Sequence, residues 1–247
     1  LAITQGDKWG WSSLNLIFSF AIAFLLVTAF VIRSQRHKAP LFDLNLFKLK
    51  TFSVGMIGTV FFMVAFFSWL ISLPTFIQSV WGWSVLKTGF AIAPAPLLTA
   101  FVSPPAGRLA ERIGNGPILT IGGLFGATGL ILHLVFTNTQ PDYFMGIFVP
   151  GLLIGFAAGF GFAQLIGAAM RDVPRDQFGM AGAGRTTIFQ LALALGVALA
   201  FTIIGRPDSP QVALDGLQTT WILGICCYIA QTLLFAFFGG SDKTSKI

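Results

Sequence analysis

The stretch G-R-L-A-E-R-I-G, residues 107–114, sets Arg108, Glu111 and Arg112 between two apolar runs, 86–106 and 117–136. Each run is long enough to cross the hydrocarbon core of a bilayer, which takes about 20 residues of helix. Three charges bracketed by Gly107 and Gly114 therefore predict a loop where the chain leaves the membrane and turns back. Moving outward from it, the same alternation of apolar run and polar interruption recurs along the chain.

The chain has 247 residues, 55% of them hydrophobic and only 10% charged, with a mean hydropathy of +0.82. A soluble domain carries about 25% charged residues, so this is the composition of a polytopic membrane protein. Division at the polar interruptions gives spans at 12–32, 52–79, 86–106, 117–136, 143–169, 178–204 and 217–239. They are continuous runs, whereas strands of a membrane barrel alternate apolar and polar residues over about ten positions. The expected fold class is an all-α membrane protein of seven transmembrane helices.

Lys and Arg are retained on the cytoplasmic side of short loops. Arg33, Arg36, Lys38, Lys48, Lys50, Arg108, Arg112, Arg171, Arg175, Lys243 and Lys246 share one side, while only Lys8, Lys87 and Arg206 fall on the other. The net charge of +6 is thus a topology signal and not a nucleic-acid footprint. It predicts an amino terminus outside and a carboxyl terminus in the cytoplasm. Trp9, Trp11, Trp81, Trp83 and Trp221 fall near outer span ends, where amphipathic rings settle at headgroup level. The adjacent Cys226 and Cys227 suit neither a disulfide framework nor a metal site and read as packing residues. No metal site or cofactor is expected. The chain opens on Leu1, which suggests a fragment.

These signals divide the chain into a leading helix (1–36), an amphipathic cytoplasmic linker (37–50), a six-helix bundle (51–240) and a cytoplasmic tail (241–247). In the linker, Phe42, Leu46 and Leu49 fall at helical spacing, with Asp43, Asn45, Lys48 and Lys50 on the water side, as for a piece lying in the inner interface. Within lipid, helices approach closely through small residues. Gly151, Gly155 and Gly159 form one such stripe, and Ala192, Gly196 and Ala200 another. Pro74, Pro94 and Pro96 fall inside spans, as bending points or as static kinks. A charge at the bilayer centre costs about 2.5–3.5 kcal/mol, which singles out Arg185, two turns into its span and followed by Gln190. It reads either as a cavity or helix-interface residue or as an arginine snorkelling to the headgroups. His133, between Leu132 and Leu134 near an outer end, reads as an interfacial histidine rather than a proton carrier.

The stretch at 107–114 resembles the motif G-x-L-a-D-r-x-G-r-R that transporters of the major facilitator superfamily carry between the second and third helices of each six-helix half. Gly107, Leu109, Ala110, Arg112 and Gly114 match, Glu111 holds the acidic place, and Asn115 and Gly116 depart from it. P-L-F-D-L-N-L-F-K-L-K-T-F at 40–52, L-P-T-F-I-Q-S-V-W-G-W-S at 73–84, A-G-A-G-R at 181–185 and the extra leading helix resemble the fourteen-span drug:proton antiporters of that superfamily. The resemblance implies the carboxyl-terminal half of a multidrug efflux permease in a bacterial cytoplasmic membrane. Its partners would be the lipid bilayer, a missing amino-terminal half and a small-molecule substrate, a lipophilic or cationic drug, and a proton gradient would be its energy source.

It also implies alternating access, two bundles rocking about a midplane site and each built of two inverted three-helix repeats. Gly107, Arg108, Glu111, Arg112 and Gly114 would then form a gating loop, or else a solvated loop obeying charge topology. Arg171, Asp172, Arg175 and Asp176 would form a second inner-loop cluster. Phe61, Phe66, Pro94, Phe160, Gln164, Arg185 and Gln190 would face the substrate cavity or the other bundle. The alternative is a seven-helix receptor or structural bundle, although span 217–239 has no lysine to bind retinal. An enzyme is not expected, since no catalytic cluster or paired mid-membrane carboxylates occur.

Overall fold

Lipid offers no hydrogen-bond partners, so a spanning segment must pair its backbone groups internally, and apolar runs of this length fold as helices. The computed structural model describes residues 14–36, 44–205 and 209–239. They form α1 (Leu14–Arg36), α2 (Lys50–Ser79), α3 (Val85–Ile92), α4 (Pro94–Ile113), α5 (Asn115–Phe136), α6 (Val149–Met170), α7 (Phe178–Ile204) and α8 (Pro210–Phe238). Short 3-10 turns cover Leu44–Lys48 and Arg175–Gln177, and a π turn, Phe144–Phe148, leads into α6. Six helical spans from α2 to α8 are long and apolar enough to cross a membrane, with α3 and α4 counted as one.

That span is interrupted at Ala93 because Pro94 and Pro96 have no N–H for the carbonyls one turn earlier. Ala93 itself stays helical (φ −56°, ψ −31°), and its carbonyl still accepts from Leu97 N–H at 3.2 Å, so the axis continues. Two side-chain caps start helices: Ser84 Oγ accepts from Lys87 N–H and Ser209 Oγ from Val212 N–H, each at 3.3 Å. Two glycines end them. Gly114 (φ 89°, ψ 162°) closes α4 and Gly205 (φ 59°, ψ −138°) closes α7, both in a region that only glycine enters without strain.

The six spans form two groups of three. Middle span α4 lies against α6, and middle span α7 lies against α2; α5 lies against α6, and α8 against α2; α5 and α8 lie against each other. Exchanging α2 with α6, α4 with α7 and α5 with α8 leaves this pattern unchanged. An odd number of spans per group makes the second group enter the membrane from the opposite side, so the repeats are inverted. Individual contacts obey the exchange. The His133 ring lies on the Trp221 ring at 4.9 Å between centroids, and the Tyr228 ring covers Gly126, where a Cβ would meet it at 2.7 Å. Gly126 and His133 precede Trp221 and Tyr228 by 95 residues each.

Small-residue stripes make the close crossings. A Cβ on Gly155 would lie 2.6 Å from the Ala95 carbonyl oxygen and one on Gly159 2.7 Å from Val102, both on α4. A Cβ on Gly196 would lie 2.9 Å from the Val64 carbonyl oxygen on α2. The main core gathers Phe62, Trp69, Leu73, Phe76, Leu130, Trp221 and Tyr228.

Four local expectations are corrected. Residues 107–113 are the last two turns of α4, and the turn shrinks to Gly114, because no proline or left-handed residue falls between Pro105 and that glycine. His133 is fully buried and not interfacial: its Nε2 accepts from Trp69 Nε1–H at 3.1 Å, leaving Nδ1–H for the Gly146 carbonyl at 2.9 Å. An indole can only donate, so this pair fixes the neutral tautomer. Trp221 is likewise buried rather than at headgroup level. Finally, the described end of the linker docks on protein: Leu46 is buried with Phe52, Met56, Ala169, Val173 and Ala181. Phe42 and Asp43 of that amphipathic face, like Trp9 and Trp11, lie outside the described residues.

Candidate functional site

Two cavities open on the face formed by α2, α4, α6 and α7. The first, about 180 Å³, lies between α2, α4 and α6, lined by Phe66, Trp69, Leu70, Ile92, Ala95, Pro96, Thr99, Ile154, Gly155, Ala158 and Phe162, without polar surface. The second, about 320 Å³, lies between α2, α6 and α7, lined by Thr59, Met63, Phe162, Ala163, Leu165, Ile166, Arg185 and Phe189. Phe162 lines both, held edge-on to Phe62 at 5.1 Å and to Phe66 at 5.2 Å between centroids.

The cavities are repeat mates. Phe66, Trp69 and Leu70 precede Phe162, Leu165 and Ile166 by 96 residues; Ile92 and Pro96 precede Arg185 and Phe189 by 93; Thr59 and Met63 precede Ile154 and Ala158 by 95. One geometry is therefore built twice with different side chains. Where the first cavity has Ile92 the second has Arg185, and where the first has Ile154 the second has Thr59, whose hydroxyl donates to the Gly55 carbonyl at 2.7 Å.

This face carries the two least buried of the six spans counted above. Only 22% and 17% of the most apolar stretches of Val85–Ile113 and Arg175–Ile204 are buried, against 50–56% for the spans of α2, α5 and α6.

The family comparison agrees with this architecture. The family model for the Major Facilitator Superfamily matches residues 2–197. The chain belongs to the Major Facilitator Superfamily. Among curated relatives it is similar to the probable multidrug resistance protein EmrY of Escherichia coli, 24% identical over 85% of this chain and 41% of EmrY. It is 29% identical to the multidrug resistance protein Stp of Mycobacterium tuberculosis over 83% of this chain and 37% of Stp. The lincomycin resistance protein LmrB of Bacillus subtilis is 28% identical over 93% of this chain and 50% of LmrB. The chain thus spans about half or less of the length of these relatives. It is an integral, multi-pass membrane protein of a transporter family, not an enzyme.

In this major facilitator chain the residues singled out from sequence fall in several places. Phe66 and Arg185 line the two cavities. Pro94 borders a small space of about 10 Å³ beside Trp69 and Ile147. Phe61 is half-buried against the main core, and Gln190 is exposed on α7. Phe160 turns away from both cavities toward α5, its ring 5.8 Å from that of Phe125.

Gln164 is buried at the α4–α6 crossing. With its amide oriented to satisfy both ends, the nitrogen donates to the Phe160 carbonyl at 3.2 Å and the oxygen accepts from Gly107 N–H at 3.1 Å. The start of the 107–114 motif is thereby tied to α6. The Thr99 hydroxyl reinforces this crossing, lying 3.0 Å from the carbonyl oxygens of both Ala95 and Gly155.

At the motif's other end Arg108, Glu111 and Arg112 are exposed, and no hydrogen bond or ion pair holds them among the described residues. In the second cluster Arg171 Nε lies 3.9 Å from Asp172 Oδ1, both partly exposed, and Arg175 and Asp176 are exposed in the 3-10 turn.

Sequence reasoning did not single out Thr59, Met63, Trp69, Ile92 or Phe189 as site residues. The 93–96-residue offset between repeats was the available signal, but it becomes readable only when contacts show which positions correspond.

Proposed function

We propose that the chain forms one of the two rocking bundles of a proton-coupled drug exporter that works by alternating access. The observation that carries this reading is the pair of repeat-related cavities on the two least buried of the six spans, a concave apolar wall suited to a second bundle and a small molecule. Relatives named for multidrug or lincomycin resistance support export of drugs, and the apolar first cavity favours lipophilic ones. The energy source is an ion gradient, with no cofactor. Among the described residues no carboxylate sits at the centre of a span: Glu111, Asp142, Asp172, Asp176 and Asp215 lie at or near helix ends and are exposed, so the proton-carrying group is sought in the other bundle.

In this reading the missing half of the wall is an amino-terminal bundle of the same protein, and the basic side of the loops faces the cytoplasm of a bacterial cell. Arg108, Glu111 and Arg112 at the end of α4, with Arg171, Asp172, Arg175 and Asp176 across the inner surface, supply contacts made only while the inner side is closed. Such contacts shift the balance between inward- and outward-open states.

The test is efflux of Nile red, an uncharged lipophilic dye, from cells producing the full-length protein. Efflux that a protonophore abolishes is the expected result. Efflux that survives collapse of the gradient overturns proton coupling, and no efflux above that of control cells overturns the export reading.

A further inference from the structure

The first cavity shows what such a space needs if packing is the only demand: the middle span lines it with Ile92, Ala95, Pro96 and Thr99, and no charged side chain lines it. An aliphatic side chain therefore serves the geometry. Arg185 instead sets a half-buried guanidinium seven residues into α7, beside Phe162 and Phe189. Among the described residues no carboxylate lines this cavity, and no hydrogen bond or ion pair reaches Arg185. Once a second bundle closes over this face, a cation there needs an anionic or hydrogen-bonding partner. The guanidinium presents five N–H donors in a planar fork that matches a carboxylate or sulfonate.

Space for such a partner is present. The cavity measures about 320 Å³, within the range of about 300–1,000 Å³ that small-molecule sites occupy. From it the surface runs past Phe162 into the apolar first cavity, so polarity falls from one end to the other. A carboxylate-bearing side chain of another bundle would pair the arginine without using that graded surface.

We propose that the Arg185 cavity receives the anionic group of an amphipathic aromatic ligand, one carboxylate or sulfonate on an apolar ring system, with the rings lying along Phe162 toward the first cavity. This rests on the reading of the face as a transport site and deepens it by fixing the charge of the preferred substrate. A lipophilic cation meets repulsion at the same place.

The test uses the full-length protein in phosphatidylcholine nanodiscs, with three probes that share one ring system: 1-pyrenebutyrate, the uncharged 1-pyrenebutanol and the cationic 1-pyrenebutyl-trimethylammonium. Binding is scored above protein-free discs. Pyrenebutyrate should bind roughly tenfold or more tightly than the cation, as a charge-assisted contact implies. Arg185→Gln should erase that preference while leaving pyrenebutanol binding unchanged, and Arg185→Lys should keep part of it. A preference for the cation, or equal weakening of all three probes by Arg185→Gln, overturns the proposal. So does a preference abolished by replacing a quarter of the lipid with phosphatidylglycerol, since the guanidinium then belongs to headgroup phosphate. Because binding is read without a gradient, anion preference without efflux sinks only the transport reading. Nile red efflux without anion preference sinks only this proposal.

Discussion

The middle span of the first repeat crosses the second repeat where Gly159 of α6 lies under the Val102 side chain of α4; the middle span of the second crosses the first where Gly196 of α7 lies against the Val64 main chain of α2. Val64 and Val102 precede Gly159 and Gly196 by 95 and 94 residues, so these are one contact built twice, with the glycine moved to the other helix. The cavities differ in the same manner, Ile92 against Arg185. Helix proximity is set by the size of the groups at a crossing, whichever helix supplies the small one. That freedom lets two repeats hold one geometry while their surfaces diverge, leaving one cavity apolar and the other charged.

The crossing contacts give the largest expected effect. Gly159→Ala and Gly196→Ala should each destabilise the protein by about 1–3 kcal/mol through overpacking, seen as a lower unfolding midpoint in detergent. Adding Val102→Ala should restore part of the first loss, because it removes the Cγ1 that a Cβ at Gly159 would meet at 2.7 Å, although the Val102 Cβ at 2.9 Å remains. Adding Val64→Ala should restore little of the second, because the clash at Gly196 is with the carbonyl oxygen and Cα of Val64. Equal rescue at both crossings breaks the distinction.

A second pair sharpens it on the polar side. Trp69→Phe strands the buried Nε2 of His133 and should cost about 1–3 kcal/mol. At the mate of His133, Tyr228→Phe removes a buried hydroxyl with no hydrogen-bond partner among the described residues, and should leave the unfolding midpoint unchanged or raised. Similar losses from both would show that the two rings are held by packing alone.

The smallest effect on stability belongs to the helix ends. Gly114 and Gly205 close α4 and α7 alike, but only α4 ends on a charged turn. Glu111→Gln, exposed and unpaired among the described residues, should change stability by less than about 0.5 kcal/mol while altering the rate of transport by the full-length protein. An unchanged rate would reduce this turn to a solvated, charge-topology feature.

The helical class, the span positions and the glycine stripes were legible in the residues, because lipid forces long apolar runs into helices and close crossings select small side chains. Helix direction within the bundle was less legible. The side chains that face lipid and those that face protein are equally apolar, so hydropathy could not tell that Phe160 packs toward α5 while Phe162 lines both cavities. Nor could it show that His133 and Trp221 bury each other instead of reaching the headgroups. Gln164 was legible as a polar residue in an apolar span, but its bonds to Gly107 and Phe160 depend on how α4 crosses α6.

Sequence alone determined that this chain is a bundle of membrane helices with a cluster of charges at residues 108–112 between two apolar runs, since lipid forces long apolar segments into helices and drives charges to their ends. Tertiary structure decided where the helices meet and that two cavities 93–96 residues out of register are copies of one another. It also decided that Arg185 lines one cavity while its copy is lined by no charged residue. The physical reason is that spatial equivalence between repeats resides in backbone packing, which tolerates any side chain that fits, and so leaves little trace in residue identity.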